Sequence, residues 1–431
     1  MNCLFAMFKT VGGVLLLLGL LSACNDGSAQ VVNTNSPYSR YGLGDRESIG
    51  YAKSQAMGGV AYGLRDKNTI NGVNPASFTS QDSLSFILDM AFRGRYVVSQ
   101  SEKDGSHADP SVSVHHIAIQ FPLLHYFGVA VGFQPFSQMG YNVTRFETDP
   151  KLLSKIGNIR YHHHGNGGLS EAFLGFAFAP HRSISLGISA RYLFGSLNYT
   201  QDLYVPNHPL YSDLRYDDRL VLRGIGFTGG LQLVLPFQEG DLCLGATAEM
   251  IPLLEAERRL EVKQVYLGAS YDVAKNFLTG TEKLTYPIKY GAGLFHKTPK
   301  VSYGVDFSMQ DWTAFNLRSS QQKNGLSYNL NAGVQWIPNP ADLRYYLKRV
   351  QYRFGVYYSQ LPMRFDNNKI NELGVTFGFG FPYRYSGSIF HTAFRMGMRG
   401  TTSYGLVREL CAEFVFGVSF NDIWFVKRKF Q

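Results

Sequence analysis

Along most of this chain, apolar residues alternate with small or polar ones. Phe127, Val129, Val131 and Phe133 alternate with Gly128, Ala130, Gly132 and Gln134. Val301, Tyr303, Val305, Phe307 and Met309 alternate with Ser302, Gly304, Asp306, Ser308 and Gln310. The same pattern runs through 326–337, through 372–381, and through Glu413–Phe420 near the end of the chain. Period two puts one apolar and one polar face on an extended strand. The pattern predicts fourteen strands, at roughly 83–100, 111–121, 126–146, 168–179, 183–205, 219–235, 241–261, 284–296, 300–310, 326–337, 349–361, 370–381, 387–400 and 408–421.

Six prolines close these strands at matching places: Pro122, Pro180, Pro236, Pro299, Pro338 and Pro382. Proline has no backbone donor, so a closed ladder tolerates it only at ends, turns or bulges. Short connections carry the prolines. The connections between them are mostly longer and polar (100–110, 147–167, 206–218, 262–283, 311–325). The connection 339–348 breaks this rule, and those after the eleventh and thirteenth strands are shorter than it predicts. Long alternating strands with short and long connections taking turns predict an all-β transmembrane antiparallel barrel of about 14 strands. Its apolar sets should face lipid and its small and polar sets the lumen. A soluble sandwich would reverse those faces, and alternation does not separate the two. The segment from Gln30 to about residue 82 lacks alternation and is rich in Gly, Ser and Asn. A barrel this wide is not filled by its own side chains, so this segment reads as a plug for the lumen.

Composition agrees. The hydrophobic fraction is 45%, soluble-looking but equally that of a barrel with only its outer face in lipid. The 14% of aromatic residues suits interfacial girdles. Val11–Leu21, preceded by Lys9, is too short to span a bilayer and reads as an export signal. Two processing sites compete. Leu21-Ser22-Ala23-Cys24 resembles a lipobox, giving a signal of 1–23 with Cys24 as the lipidation candidate; Gly27-Ser28-Ala29 gives 1–29. The expected divisions are then an N-terminal hatch at 30–82, a barrel at 83–421 and a periplasmic tail at 422–431. Cys243 and Cys411 fall on strands far apart in such a barrel, so no disulfide is expected. The net charge of +9 is dispersed, with no basic run beyond Lys427-Arg428-Lys429. Outer-membrane lipid and lipopolysaccharide, or an anionic solute, suit it better than nucleic acid.

Ala56-Met57-Gly58-Gly59, followed by Asn74-Pro75-Ala76-Ser77 just before the first strand, resembles the outer-membrane long-chain fatty acid transporter family (FadL-like), as a divergent branch. Ser77 stands where that family more often has Gly, and Ser36–Gly42 is not one of its hallmarks. The resemblance implies a fourteen-strand barrel with an N-terminal hatch in the lumen, formed here around Met57, Gly58, Gly59, Asn74, Pro75 and Ala76. It also implies lateral release of a hydrophobic small molecule through a kinked third strand. Phe133-Gln134-Pro135-Phe136 lies in that strand, and Pro135 must break or bulge the ladder there. The bland reading is a rim bulge, as Ile251-Pro252 also suggests.

Arg191, Arg223, Glu249, Lys289, Asp306, Arg353, Glu372, Arg395 and Glu413 fall within strands. Lipid penalises charge, so they should point inward and form an ion-pair lattice that anchors the plug. A sharper reading makes one of the cations Arg191, Arg223, Lys289, Arg353 or Arg395 a headgroup receptor. His115 and His116 sit where the second strand changes phase, which a bulge explains. His162, His163 and His164 read as part of a solvated outer loop. Adjacent histidines on an ordered strand do not all face one ion, and no Cys or spaced carboxylate completes a set, so no metal site is assigned. No motif calls for a cofactor, and none indicates an enzyme. Two functions remain open: passive transport of a hydrophobic compound across the outer membrane, or a structural subunit of an outer-membrane protein complex for secretion or assembly.

Overall fold

The computed structural model describes residues 36–423, apart from 49, 102–104, 125, 206–212, 267–268, 316, 318–322, 366–367 and 384–386. The export signal, both processing sites, Cys24, residues 30–35 and the tail beyond Ile423 lie outside the described residues.

The alternating segments form one antiparallel barrel. Its strands are β1 (Ser85–Ser101), β2 (Gly105–Leu124), β3 (Phe127–Phe146), β4 (Arg160–His181), β5 (Ile184–Tyr204), β6 (Asp213–Phe237) and β7 (Gly240–Tyr266). An interrupted β8 follows (Ala269–Lys283, then Lys289–Lys297). The circuit continues through β9 (Val301–Asp311), β10 (Leu326–Trp336), β11 (Gln351–Phe365), β12 (Asn368–Tyr383), β13 (Ser388–Arg399) and β14 (Arg408–Ile423). β14 closes onto β1 in unbroken register from Arg408↔Gln100 to Ile423↔Ser85. All six prolines sit in the last residues of a strand or in the turn that follows, at one rim. The break in β8 has the same cause. Pro287 lies in the gap, beside the Ile251-Pro252 stretch where β7 bulges against β6.

The faces alternate as lipid requires. Val301, Tyr303, Val305, Phe307 and Met309 are exposed outward, while Ser302, Asp306, Ser308 and Gln310 are buried inward. With an even strand count and short turns at the proline rim, this is a barrel of the outer-membrane type. Short turns of this kind lie on the periplasmic side in such barrels.

Several expectations change. The outer connections are shorter because the strands continue past the membrane. β6 has 25 residues and β7 has 27, where about 9–11 cross a bilayer. The stretch 262–283 is therefore mostly a hairpin, not a loop. On its outward face this upper wall is laced by cross-strand ion pairs that lipid would forbid, such as Arg215–Asp202 at 2.6 Å and Lys263–Asp217 at 3.0 Å. The connection 147–159 holds helix α2 (Pro150–Ile156; α1 is Ala52–Gln55 in the N-terminal segment), and β4 begins before the histidine run. His162, His163 and His164 are thus strand residues. Nor is the lumen polar throughout. In the outer half of β3–β7 the inward positions are Met139, Tyr141, Leu169, Leu193, Leu197, Leu220, Leu222 and Leu254, which pack into one buried cluster.

Candidate functional site

The site is the lumen where the N-terminal segment meets the wall. Met57 and Gly58 cross the inward glycines of β10 and β11. Gly58 adopts φ +72°, and a Cβ there would lie 2.6 Å from Val356 O and 2.7 Å from Ala332 O. Only a glycine permits that approach. Its N–H donates to Thr376 Oγ1 at 2.8 Å, and Gly59 N–H donates to Ser54 O at 2.9 Å. Asp306 on β9 accepts from the backbone N–H groups of Ala61 (2.5 Å) and Tyr62 (2.8 Å). One inward carboxylate thereby satisfies two donors of a turn without helix or sheet partners.

Asn74 caps the short 3₁₀ helix Pro75–Ser80. Its Oδ1 accepts from Ala76 N–H at 3.1 Å, and Pro75 occupies the first helical turn where no donor is needed. Asn74 Nδ2 donates to Tyr62 O (2.8 Å) and to Leu231 O on β6 (3.3 Å), tying two parts of the segment to the wall. Met57, Ala76, Asn74 and Ser77 are all buried.

The ladder between β2 and β3 runs from Leu124↔Phe127 to Ile117↔Phe133, and among the described residues it stops there. On its other side β3 stays paired with β4 but bulges between Pro135 and Ser137. Proline at 135 has no donor to continue with. The N-terminal segment takes the vacated edge. Asp45 and Arg46 pair with Gln138 and Ser137, Glu47 N–H donates to Phe136 O (3.1 Å), and Ser36 N–H donates to Gly140 O (2.9 Å).

Charges hold that insertion. Asp45 meets Arg95 at 2.8 Å and Arg399 at 3.0 Å, and Glu47 pairs with Arg93. Arg399 also meets Glu372 at 2.7 Å and the fully buried Glu409 at 3.6 Å. Arg395 joins Glu372 at 3.1 Å and stands over the Tyr357 ring at 3.6 Å. Arg46 reaches Gln310 Oε1 (2.7 Å) and lies 5.1 Å from the Phe136 ring and 5.7 Å from that of Trp312. Between this cluster and β9–β11 lies a cavity of about 180 Å³. Its lining mixes Leu43, Met309, Trp312 and Phe315 with Arg46, Arg93, Lys289, Glu372 and Glu413.

The sequence-predicted residues divide accordingly. Gln134 Nε2 donates to Glu171 Oε1 at 2.5 Å. Arg191 meets Glu171 at 3.2 Å and Glu249 at 3.9 Å, Lys289 lines the cavity, and Arg353 bonds Gln335 (2.9 Å) and His391 (2.9 Å). Arg223 does not join them. It is exposed on the outward face of β6, opposite Glu255, because its parity is that of Ile225 and Phe227, above the lipid-facing band. Arg93, Arg95, Arg399, Asp45 and Glu47 carry the clamp and are not among the sequence-predicted site residues; inward parity on β1 and β13 is the signal that marks the arginines.

The bulge at His115–His116 seats His116 Nε2 2.9 Å from Asp89 Oδ1, under the stacked ring of Tyr51 (3.6 Å). Asp89 also accepts from Ser419 Oγ (2.8 Å), which lies 3.1 Å from His391 Nε2. Arg353 donates to His391 Nδ1, so Nε2 carries the proton and donates to Ser419. The serine proton is committed to Asp89. The three residues form a wall network without the base-to-serine polarity of a nucleophilic triad.

Solved barrels share this fold. The CymD monoaromatic hydrocarbon channel superposes with TM-score 0.56 at 14% identity, covering 90% of this chain and 99% of that one. A Pseudomonas aeruginosa FadL homologue gives 0.56 at 11% (88% and 100%). The Pseudomonas putida toluene transporter TodX gives 0.55 at 16% (89% and 100%). At such identities the likeness is one of fold. No curated protein matches the chain in sequence. A family described as BamG matches residues 7–431.

Proposed function

The chain belongs to the BamG family, and from that premise we propose that it is an accessory barrel of an outer-membrane protein assembly, with a lumen closed by its own N-terminal segment. The observation that carries this reading is the charged clamp. To open the wall at β2–β3, Asp45, Arg46 and Glu47 would have to leave Arg95, Arg399, Glu249 and Arg93. Breaking a buried pair costs about 3–5 kcal/mol, so releasing Asp45 and Glu47 alone costs on the order of 6–10 kcal/mol. A passive barrel has no energy source to supply that. The cavity beside the clamp is lined by charges that an apolar solute would strip of their partners. The segment described from residue 36 to 82 then serves as a fixed plug, and the work is done through the barrel's surface, including the tall wall of β4–β8.

A second reading is favoured by one specific observation. The ladder ends at Phe133–Phe136 beside the apolar cluster of β3–β7, and FadL-like and aromatic-hydrocarbon channels share the fold. Under it, Met57–Gly59 and Asn74–Ala76 form a moving hatch, and a hydrophobic compound leaves sideways at Pro135.

Purification in mild detergent separates the readings. Stoichiometric partner proteins, together with toluene flux into proteoliposomes no faster than in protein-free vesicles, is the expected result. Saturable flux and co-purified hydrocarbon, with no partner, would overturn the accessory reading in favour of transport.

A further inference from the structure

The upper wall carries three side chains whose arrangement neither reading uses. His162 and His164 lie two residues apart on β4, hence on one face, and Asp202 on β5 stands in register with His162. Their shared face is the outward one, above the lipid-facing Phe176 and Leu174. One ligand atom from each residue lies within 4.8 Å of the others. Asp202 Oδ2 is 3.6 Å from His162 Nδ1 and 3.8 Å from His164 Nδ1. Ligands at about 2.0–2.2 Å from a tetrahedral ion lie about 3.4 Å from one another, so a small inward movement closes the set.

The protons are already placed for coordination. His162 Nε2 is 2.7 Å from Asn142 Oδ1, an acceptor, so Nε2 carries the hydrogen and Nδ1 presents its lone pair. His164 Nδ1 is buried and has no hydrogen-bond partner. Arg215 Nε holds Asp202 Oδ1 at 2.6 Å and its Nη2 lies 3.3 Å from Oδ2; Tyr204 Oη is 3.4 Å from Oδ2. Arg215 therefore orients the carboxylate so that Oδ2 faces the imidazoles, while its charge weakens binding. A plain ion pair is a poorer account. It would protonate two rings whose centroids are 5.0 Å apart, beside a guanidinium, for one carboxylate.

We propose that His162, His164 and Asp202 form an outer-surface site for a borderline divalent metal, of which zinc is the probe, with the fourth position left to water or to a ligand from a partner. Two imidazoles, one carboxylate and an open position make a donor set suited to that ion. The adjacent-histidine objection fails because only the alternate residues, His162 and His164, share the face.

The test is calorimetric titration of Zn²⁺ into tag-free, chelator-treated protein in detergent. The expected result is one site per chain, weakened at least about tenfold in His164→Ala and in Asp202→Asn, and unchanged in His163→Ala. His164→Ala removes no hydrogen bond, and heat-modified mobility checks that each barrel is folded. Absence of saturable binding in the wild type, or equal affinity in His164→Ala and His163→Ala, overturns the proposal.

Discussion

Replacing Asp45 by Ala and Arg399 by Gln probes the clamp from its two sides, with effects of different size. Asp45, Glu47, Glu372, Glu409 and Glu413 face Arg93, Arg95, Arg395 and Arg399: five carboxylates against four guanidiniums. Asp45→Ala forfeits contacts of 2.8 and 3.0 Å, each worth about 1.5–3 kcal/mol. It leaves four charges facing four, however, which returns part of that loss. The net cost is about 2 kcal/mol, or roughly 30-fold in the opening equilibrium. Arg399→Gln leaves five carboxylates against three guanidiniums, with Glu409 wholly buried. An uncompensated buried charge costs about 4 kcal/mol, roughly 700-fold. Hydrogen exchange reads both. The amides of Ser36 and Glu47, which donate to Gly140 and Phe136, should lose protection by these factors while the β5–β6 amides hold theirs. Unchanged protection in Asp45→Ala, or a milder effect in Arg399→Gln than in Asp45→Ala, refutes the charge count.

Three further outcomes follow from the same geometry. Burial raises the Asp45 carboxyl, but Arg399 and Arg95 outweigh it and hold the group well below the usual range; Lys297 and Lys53 do the same for Asp66. A lowered folded value means the stabilisation is complete above about pH 4 and is lost as pH falls through the folded values. The stabilisation contributed by Asp45 and Asp66 should therefore persist down to about pH 4 and decline only in stronger acid; if the pH dependence of segment protection is the same in Asp45→Ala as in the wild type below about pH 4, the assignment fails. Asp306→Ala strands the amides of Ala61 and Tyr62 and should destabilise by about 2–4 kcal/mol, measured by denaturant unfolding in micelles. Val305→Arg puts a charge at the middle of the outward row of β9 and should weaken folding into vesicles by about 2–4 kcal/mol, whereas Arg at an upper-wall position such as Glu257 should have little effect.

The barrel was legible because lipid on one side enforces a strict two-residue code, and because proline is tolerated at few places in a closed ladder. That code gave the fourteen strands, their faces and their ends at the proline rim within a few residues. It did not give their tops, since above the bilayer the wall no longer needs an apolar face and the alternation fades into charged pairs. His162–His164 were misplaced for that reason. Inward leucines such as Leu169, Leu197 and Leu222 break the expected polar lumen because they pack in one buried cluster with Leu43, Tyr286, Trp312 and Phe315. The clamp was hidden for another reason. Asp45 and Glu47 lie in a segment with no periodicity, and their partners at Arg93, Arg95 and Arg399 are distant in sequence, so neither half announces the other.

The edge that β3 offers beyond Phe133 is completed by Asp45 and Arg46, residues made before any part of the wall. The cylinder is therefore not finished when its final strand meets its first. A seam stays open until the leading stretch of the polypeptide has been carried inside and laid against Ser137 and Gln138. Ser36 must also reach Glu409 on the final strand. Until then the incomplete cylinder exposes bare amides to lipid, so whatever inserts this protein must shelter one particular gap to the last.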